Sequence, residues 1–156
     1  AKEKAEELGY KTIILTTSLT GEAKYIGKYL IEKAKNYTTN GKKFIFISGG
    51  ETTVTVTGNG KGGRNQEMVL GSIKELANSD VIFASFATDG IDGNSDAAGA
   101  IADEFSLEKA YEQNLDLDVF LKENNSYEFF RKLNDLIITG LTGTNVMDIQ
   151  IIIKTR

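Results

Sequence analysis

Phe44-Ile-Phe-Ile-Ser-Gly-Gly-Glu51 is a run of four large apolar residues that ends on a serine, two glycines and a carboxylate. Successive residues of a strand face opposite sides of its sheet, so a segment that is apolar at every position reads as a strand buried on both faces. Val81-Ile-Phe-Ala-Ser-Phe-Ala-Thr-Asp-Gly90 repeats the design, and Thr12-Ile-Ile-Leu-Thr16 is a shorter, β-branched version of it. Helical patterns lie between them. Residues 2–9 carry helix formers up to Gly9. Ile26, Leu30 and Ala34 recur at helical spacing after Thr20, which is expected to cap that helix, and Asn65–Ala77 carries Met68, Val69, Ser72, Ile73 and Leu76 on one face.

Further along, residues 106–113, 116–122 and 126–133 read as short helices separated by Asn and Asp, with Tyr127, Phe129 and Phe130 as core. Thr53-Val-Thr-Val-Thr57 alternates strictly and predicts a strand in a hairpin with Phe44–Ser48 across Gly49-Gly50-Glu51. Leu136–Ile138 and Ile149–Ile153 predict a last pair of strands. Strands that alternate with helices point to an α/β layered domain whose mixed, largely parallel β-sheet is flanked by helices. With no repeat, no proline and no low-complexity linker, residues 1–156 are read as one domain.

Composition narrows the chemistry. The chain has no cysteine and no histidine, which removes thiolate nucleophiles, zinc–cysteine sites and any Ser-His-Asp arrangement within it. Carboxylates, Lys, Arg, hydroxyls and backbone amides remain. The first 78 residues hold 12 Lys/Arg against 8 Asp/Glu, and the other 78 hold 6 against 14. An acidic chain without a basic stripe argues against nucleic acid as a partner. No apolar run approaches the length of a membrane span. The start, Ala1-Lys-Glu-Lys-Ala-Glu-Glu7, is too charged for a signal peptide, so a cytoplasmic protein is expected. Its lack of an initiating Met suggests a processed chain or a part of a longer one.

Three glycine-rich loops carry the candidate chemistry. Ligands of open α/β sheets gather at the carboxyl ends of parallel strands, where the loops Thr16–Glu22, Ser48–Glu51 and Thr88–Asp96 are expected to converge. Gly49-Gly50-Glu51 follows the first buried strand; Glu51 either orients a substrate hydroxyl or is a turn residue. In Gly58-Asn-Gly60-Lys-Gly62-Gly63-Arg64-Asn65-Gln-Glu67 the spacing fits a dinucleotide fingerprint, but the preceding strand alternates and Asp80 precedes its strand rather than ending it. A Walker loop fails because Lys61 is followed by Gly62. The remaining functional reading is an anion cradle, with backbone N–H groups at the helix start and Arg64 as a forked donor; the other is a flexible turn with a surface arginine. In Thr88-Asp89-Gly90-Ile91-Asp92-Gly93-Asn-Ser-Asp96, clustered carboxylates can bind Mg²⁺ or accept a proton from a hydroxyl. A calcium loop is excluded by Ala97 at its glycine position. Asp96 reads as the cap of a helix over 97–103. Asn145, after Gly143-Thr144, either hydrogen-bonds a ligand or caps its own loop.

In their order, Gly49–Val56, Gly60–Glu67, Thr88–Gly93 with Ala98-Gly99-Ala100, and Thr142-Gly-Thr-Asn-Val-Met-Asp148 resemble the MOFRL domain, the C-terminal domain of the glycerate 2-kinase family, some of whose members were once labelled hydroxypyruvate reductases. The resemblance runs along nearly the whole chain. It implies ATP-dependent phosphorylation of D-glycerate to 2-phosphoglycerate with Mg²⁺, in a cleft between this domain and a larger N-terminal nucleotide-fold domain that this sequence lacks. It further implies that Arg64 stabilises phosphoryl charge and that Asp89 activates the substrate hydroxyl or holds the metal. Gly49, Gly50, Glu51, Gly62, Gly63, Asn65, Asp92 and Asn145 are the accompanying candidates for binding substrate or phosphate. On this reading the chain alone is inactive. Two alternatives stand beside it: an NAD(P)-dependent hydroxypyruvate reductase using Gly58–Gly63, and a non-catalytic domain that binds ligands or partners.

Overall fold

The computed structural model describes residues 1–155. Its elements in chain order are α1 (Lys2–Glu7), β1 (Lys11–Leu19), α2 (Ala23–Lys35), β2 (Phe44–Gly50), α3 (Arg64–Leu76), β3 (Val81–Ala87), β4 (Gly99–Ala102), α4 (Ser106–Glu112), α5 (Leu117–Lys122), α6 (Ser126–Leu133), β5 (Leu136–Ile137) and β6 (Asp148–Lys154). One six-stranded sheet has the order β1-β2-β6-β3-β4-β5. The α/β class, the mixed sheet and the flanking helices are as expected. Among the described residues no helix is long and apolar enough to cross a membrane.

The share of parallel pairing is not as expected. Among the described residues only the strands β1 and β2 pair in parallel; β6 is antiparallel to both β2 and β3, and β4 is antiparallel to β3 and β5. The last strand is the reason, because β6 inserts between β2 and β3. Yet an antiparallel strand between two others leaves those two pointing the same way. β1, β2 and β3 therefore still present their carboxyl ends along one edge, where β6 begins. The expected pair of Leu136–Ile138 with Ile149–Ile153 does not form: β5 sits at the far edge and β6, with Ile151 and Ile152 at mid-strand, takes the centre.

Two further segments depart from expectation. Residues 53–57 make no strand beyond a parallel bridge of Thr53 with Glu22. The chain does not turn back after Gly50, whose φ is +144° and whose backbone packs against Leu19 so closely that a Cβ would collide with it. Glu51 N–H instead donates to Leu19 O, and the strap that follows is tied to side chains: Thr55 N–H and Oγ1 donate to the Glu22 carboxylate, and Thr57 N–H donates to Asn124 Oδ1. Glu22, not Thr20, occupies the N-cap of α2, and it makes no side-chain cap bond there. The expected helix over 97–103 is the strand β4, tucked so tightly against Ser85 and Phe86 that only glycine fits at 99.

The core lies on one side of the sheet. α3 is its centre, buried at every residue from Asn65 to Ile73. α2 packs against it through two glycines: a Cβ on Gly27 would enter the Met68 carbonyl, and one on Gly71 would lie 2.7 Å from Lys24 O. Phe129 and Phe130 of α6 close the other flank, both fully buried. α4, α5 and α6 follow the sequence reading within a residue or two, and Asn114, Asn124 and Asn134 end them with left-handed φ values of 54°, 51° and 61°. Asn accepts that conformation more readily than most residues. Among the described residues, α1 and the turn after it cover the strands on the opposite face, through Ala5 and Tyr10 against Ile45, Ile47, Ile149, Ile151 and Ile153. Hence β3 is buried on its helix side and half-buried on the other, not buried on both.

Candidate functional site at the carboxyl edge of the sheet

At the edge where β2 and β3 end, the register aligns Gly50, Asp148 and Ala87 across three strands. Asp148 is 1% exposed and opens β6. Its carboxylate takes both bonds of a fork from Arg64, the first residue of α3: Nε to Oδ2 at 2.6 Å and Nη2 to Oδ1 at 3.0 Å. The third nitrogen, Nη1, meets Glu51 Oε1 at 2.7 Å. Bidentate pairing of this kind fixes orientation as well as charge. The hydrogen bonds to Asp148 hold the guanidinium above its ordinary pKa, with the Glu51 charge adding to the effect. Arg64 is therefore a rigid cation whose Nη1 edge alone faces the rim. Gly49 and Gly50, at the end of β2, bring the backbone alongside Asp148.

The start of α3 is already filled. Asp92, 1% exposed, accepts from Asn65 N–H at 3.1 Å, Asn65 Nδ2 at 3.2 Å, Gln66 N–H at 2.9 Å and Gln66 Nε2 at 3.0 Å. A carboxylate at the positive end of a helix dipole needs no further counter-ion. Burial pushes the Asp92 carboxyl up while the backbone bonds of Gln66 and Asn65 pull it down, and burial prevails. Ser85 Oγ donates to Asn65 Oδ1 at 2.6 Å, and Gln66 Nε2 also donates to Ser95 Oγ at 2.8 Å. The loop before the helix is equally occupied: Gly58 N–H goes to Asn124 Oδ1, Gly60 N–H to Glu123 O, Lys61 N–H to Asn125 Oδ1 and Gly62 N–H to Asn94 Oδ1. Much of the expected anion cradle of backbone N–H groups is thus taken up by the chain's own acceptors. Gly62 and Gly63 instead allow close approach of loops, since a Cβ on Gly63 would strike Asp92.

Asp89 faces the other way. It is half-buried, accepts from Ile91 N–H through Oδ1 at 3.1 Å and from Asn145 Nδ2 through Oδ2 at 3.2 Å. The loop that brings Asn145 across is pinned to Thr88: Thr142 Oγ1 donates to Thr88 O, Val146 N–H donates to Thr88 Oγ1, and Thr88 Oγ1 donates to Met147 O. Asp89 and Asn145 meet here although 56 residues separate them. Among the described residues no group of three or more acidic side chains is arranged to hold a metal ion. Asp89 offers one carboxylate, each oxygen of which accepts a single bond and keeps a lone pair free.

Beside Arg64 lies an open cavity of about 540 Å³, lined among others by Glu51, Thr52, Gly62, Gly63, Glu67 and Asn124. Asp89 and Asn145 are not part of its lining. Glu67 is buried one helical turn after Arg64, and burial raises its pKa while the bond from Asn124 Nδ2, 2.9 Å to Oε2, opposes that rise. Sequence reading missed Asp148, Glu67 and Asn124. The available signals were a lone acid opening an isoleucine-rich strand, and a carboxylate three residues after a candidate arginine, hence on the same helical face. Asn124 carried none beyond its place between two helices.

The chain is similar to known proteins along most of its length. The model of the MOFRL family matches residues 44–148. Over 156 aligned residues the chain is 42% identical to a glycerate 2-kinase of Pyrococcus horikoshii, covering 97% of this chain and 36% of that protein. It is likewise 42% identical to a D-glycerate 2-kinase of Thermotoga maritima, covering 97% and 37%. A crystal structure from Pyrococcus horikoshii superposes with a TM-score of 0.91 at 42% identity, over 98% of this chain and 36% of the other. That of a glycerate kinase from Thermotoga maritima gives 0.91 at 39% identity, over 98% and 38%. The chain spans a little over a third of the length of these relatives.

Proposed function

The chain belongs to the MOFRL family, and from that footing we propose that it is the C-terminal domain of a two-domain glycerate 2-kinase. It supplies one wall of the active site, and a larger N-terminal domain supplies the other. The reaction is transfer of the γ-phosphoryl group of ATP to the 2-hydroxyl of D-glycerate, in the cytoplasm. The observation that carries this reading is the clamped Arg64, held by buried Asp148 with its Nη1 edge free to meet an anion in place of Glu51.

In this assignment Arg64 balances the charge that spreads over the phosphoryl oxygens as the bond to ADP breaks and the bond to the glycerate oxygen forms. Phosphoryl transfer needs positioning and charge neutralisation more than covalent help. Asp89 accepts the proton leaving the glycerate hydroxyl, or is the carboxylate on this side that would hold Mg²⁺. Mg²⁺ is commonly bound by one or two carboxylates together with substrate phosphates, which suits a single half-buried Asp better than a complete protein cage. The ion would neutralise β- and γ-phosphate charge. Asn145 orients Asp89, Glu51 with Gly49 and Gly50 forms the substrate rim, Gly62 and Gly63 let the loop close, and Asn65 with Asp92 sets the start of α3. The comparisons lend the reductase alternative no support, since the relatives they name are glycerate kinases.

The test uses the longer parent polypeptide. ATP-dependent formation of 2-phosphoglycerate and NADH-dependent reduction of hydroxypyruvate are assayed side by side, with and without Arg64→Ala. Phosphoglycerate formation that falls about 10³-fold in the variant is expected, with no turnover by residues 1–156 alone. Reduction without phosphorylation overturns the reading.

A further inference from the structure

The side of the sheet that faces α3 turns from apolar to polar beneath the start of that helix. Phe46, Ile152 and Phe83 lie side by side across β2, β6 and β3. The next row on that face, towards the carboxyl edge, is Ser48, Gln150 and Ser85, each at most 1% exposed. One row further stand Gly50, Asp148 and Ala87, where Asp148 takes the fork of Arg64. Polar side chains buried in a central sheet are costly unless hydrogen-bonded, and here the bonds lead to α3. Gln150 Nε2 donates to Ser85 Oγ at 3.4 Å, and Ser85 Oγ donates to Asn65 Oδ1 at 2.6 Å. Asn65 Nδ2 then donates to Asp92 Oδ1 at 3.2 Å. Asn65 directly follows Arg64 in the first turn of α3. That turn is therefore tied to the sheet from below and to the loop of Asp92 from the side.

We propose that Gln150 and Ser85 are positioning residues for Arg64, acting through Asn65; this rests on the kinase reading above. Arg64 has two anchors: Asp148 grips its guanidinium, and the first turn of α3 carries its backbone. The two agree while the turn keeps its height and rotation over the sheet. Asn65 sets both, because its side chain reaches Ser85 on the sheet and Asp92 in the loop. β6 serves both anchors. Asp148 holds the side chain, and Gln150, two residues on and so on the same face, braces the turn through Ser85. Apolar side chains in this row would fill the space, but their attraction has no direction. Hydrogen bonds do have direction, and they lock the turn in one orientation. A functional group supported in this way keeps its productive geometry, and a small displacement slows a reaction without unfolding the protein.

The experiment compares Ser85→Ala and Gln150→Leu with Ile152→Val in the full-length parent. Ile152→Val leaves a small cavity in the apolar row just below and serves as the purely structural control. Two quantities are read: hydrogen exchange of the Arg64 Nε–H, by NMR of protein labelled in its arginine nitrogens, and kcat and KM for phosphoglycerate formation. Each polar variant is expected to speed Arg64 exchange about tenfold, the contribution of one hydrogen bond. It is also expected to lower kcat about tenfold while KM for glycerate stays within about twofold. Ile152→Val is expected to lower Tm and change neither quantity. Arg64 exchange at the parental rate in the polar variants overturns the proposal, as does faster exchange with an unchanged kcat. Equal acceleration in Ile152→Val also overturns it, since the cause is then a general loosening of the core. Ser85→Ala decides if Gln150→Leu does not fold. A parent that forms no phosphoglycerate sinks the kinase reading instead, and Arg64 exchange still judges the positioning.

Discussion

Asp89 and Asp92 sit three residues apart in one loop and lead opposite lives. Asp92 turns under the loop, is sealed from water and receives four N–H donors from the first turn of α3. Asp89 stays at the rim, half-buried, with one backbone donor and the Asn145 amide. The glycines between and after them make this possible: Gly90 and Gly93 have φ values of +94° and +63°, and each lies against a carbonyl where a Cβ would not fit. Two carboxylates of identical chemistry thus become a floor that sets the helix carrying Arg64 and a rim that is available to a ligand. Saturation with donors removes a group from chemistry, and partial saturation leaves it available.

The sharpest way to break this comparison is Asp92→Ala, which strips four charge-assisted bonds and leaves buried N–H groups unpaired. A loss of about 4 kcal/mol is expected, seen as a fall in Tm on the order of 10 °C. An unchanged melting curve would mean that Asp92 is no structural floor. Next comes Asp89→Asn, which keeps shape and removes charge. Turnover of the parent polypeptide is expected to drop about 10²-fold or more, while stability changes by no more than about 0.5 kcal/mol. Equal stability losses in the two variants would erase the distinction between floor and rim.

The smallest effect is one of pH. Burial raises the Glu67 pKa in the folded state above its unfolded value, so the folded chain binds the proton more tightly. The stability linked to that proton is fully present below the usual carboxylate range and is lost as pH rises through the raised value. Glu67→Gln removes this contribution, and a denaturant titration should show a shallower decline of stability with rising pH than in the parent. Part of the decline should remain, since burial raises Asp92 and Asp135 in the same sense. A parental slope in the variant would place Glu67 in a more solvated setting than its 2% exposure indicates.

Much of the fold was legible in the chain. Segments apolar at every position announced β2, and helical spacing announced α2 and α3. Asn and Asp between apolar patches marked α4, α5 and α6, because those residues favour turns and left-handed ends. The failures share a cause. Thr53–Thr57 alternates like a strand, but pattern reports only which residues tolerate burial, and here Glu22 and Asn124 satisfied its backbone in place of a partner strand. Residues 97–103 read as a helix, whereas the carbonyl edge of β3 was waiting for them. Strand partnership is a long-range choice, and local pattern does not carry it.

The site divides along the same line. The sequence by itself determined the excluded chemistries, the glycine-rich loops, Arg64 and Asp89 as candidates, and the family to which the chain belongs. All of these depend on residue identity and short spacing. Only the tertiary structure decided that β6 enters between β2 and β3, and with it that buried Asp148 grips Arg64. It also decided that Asp92 accepts from the first turn of α3 and that Asn145 reaches Asp89. Those outcomes depend on hydrogen bonds between residues 26 to 84 positions apart. Whether a polar atom is satisfied or left over is known only when every neighbour has been placed.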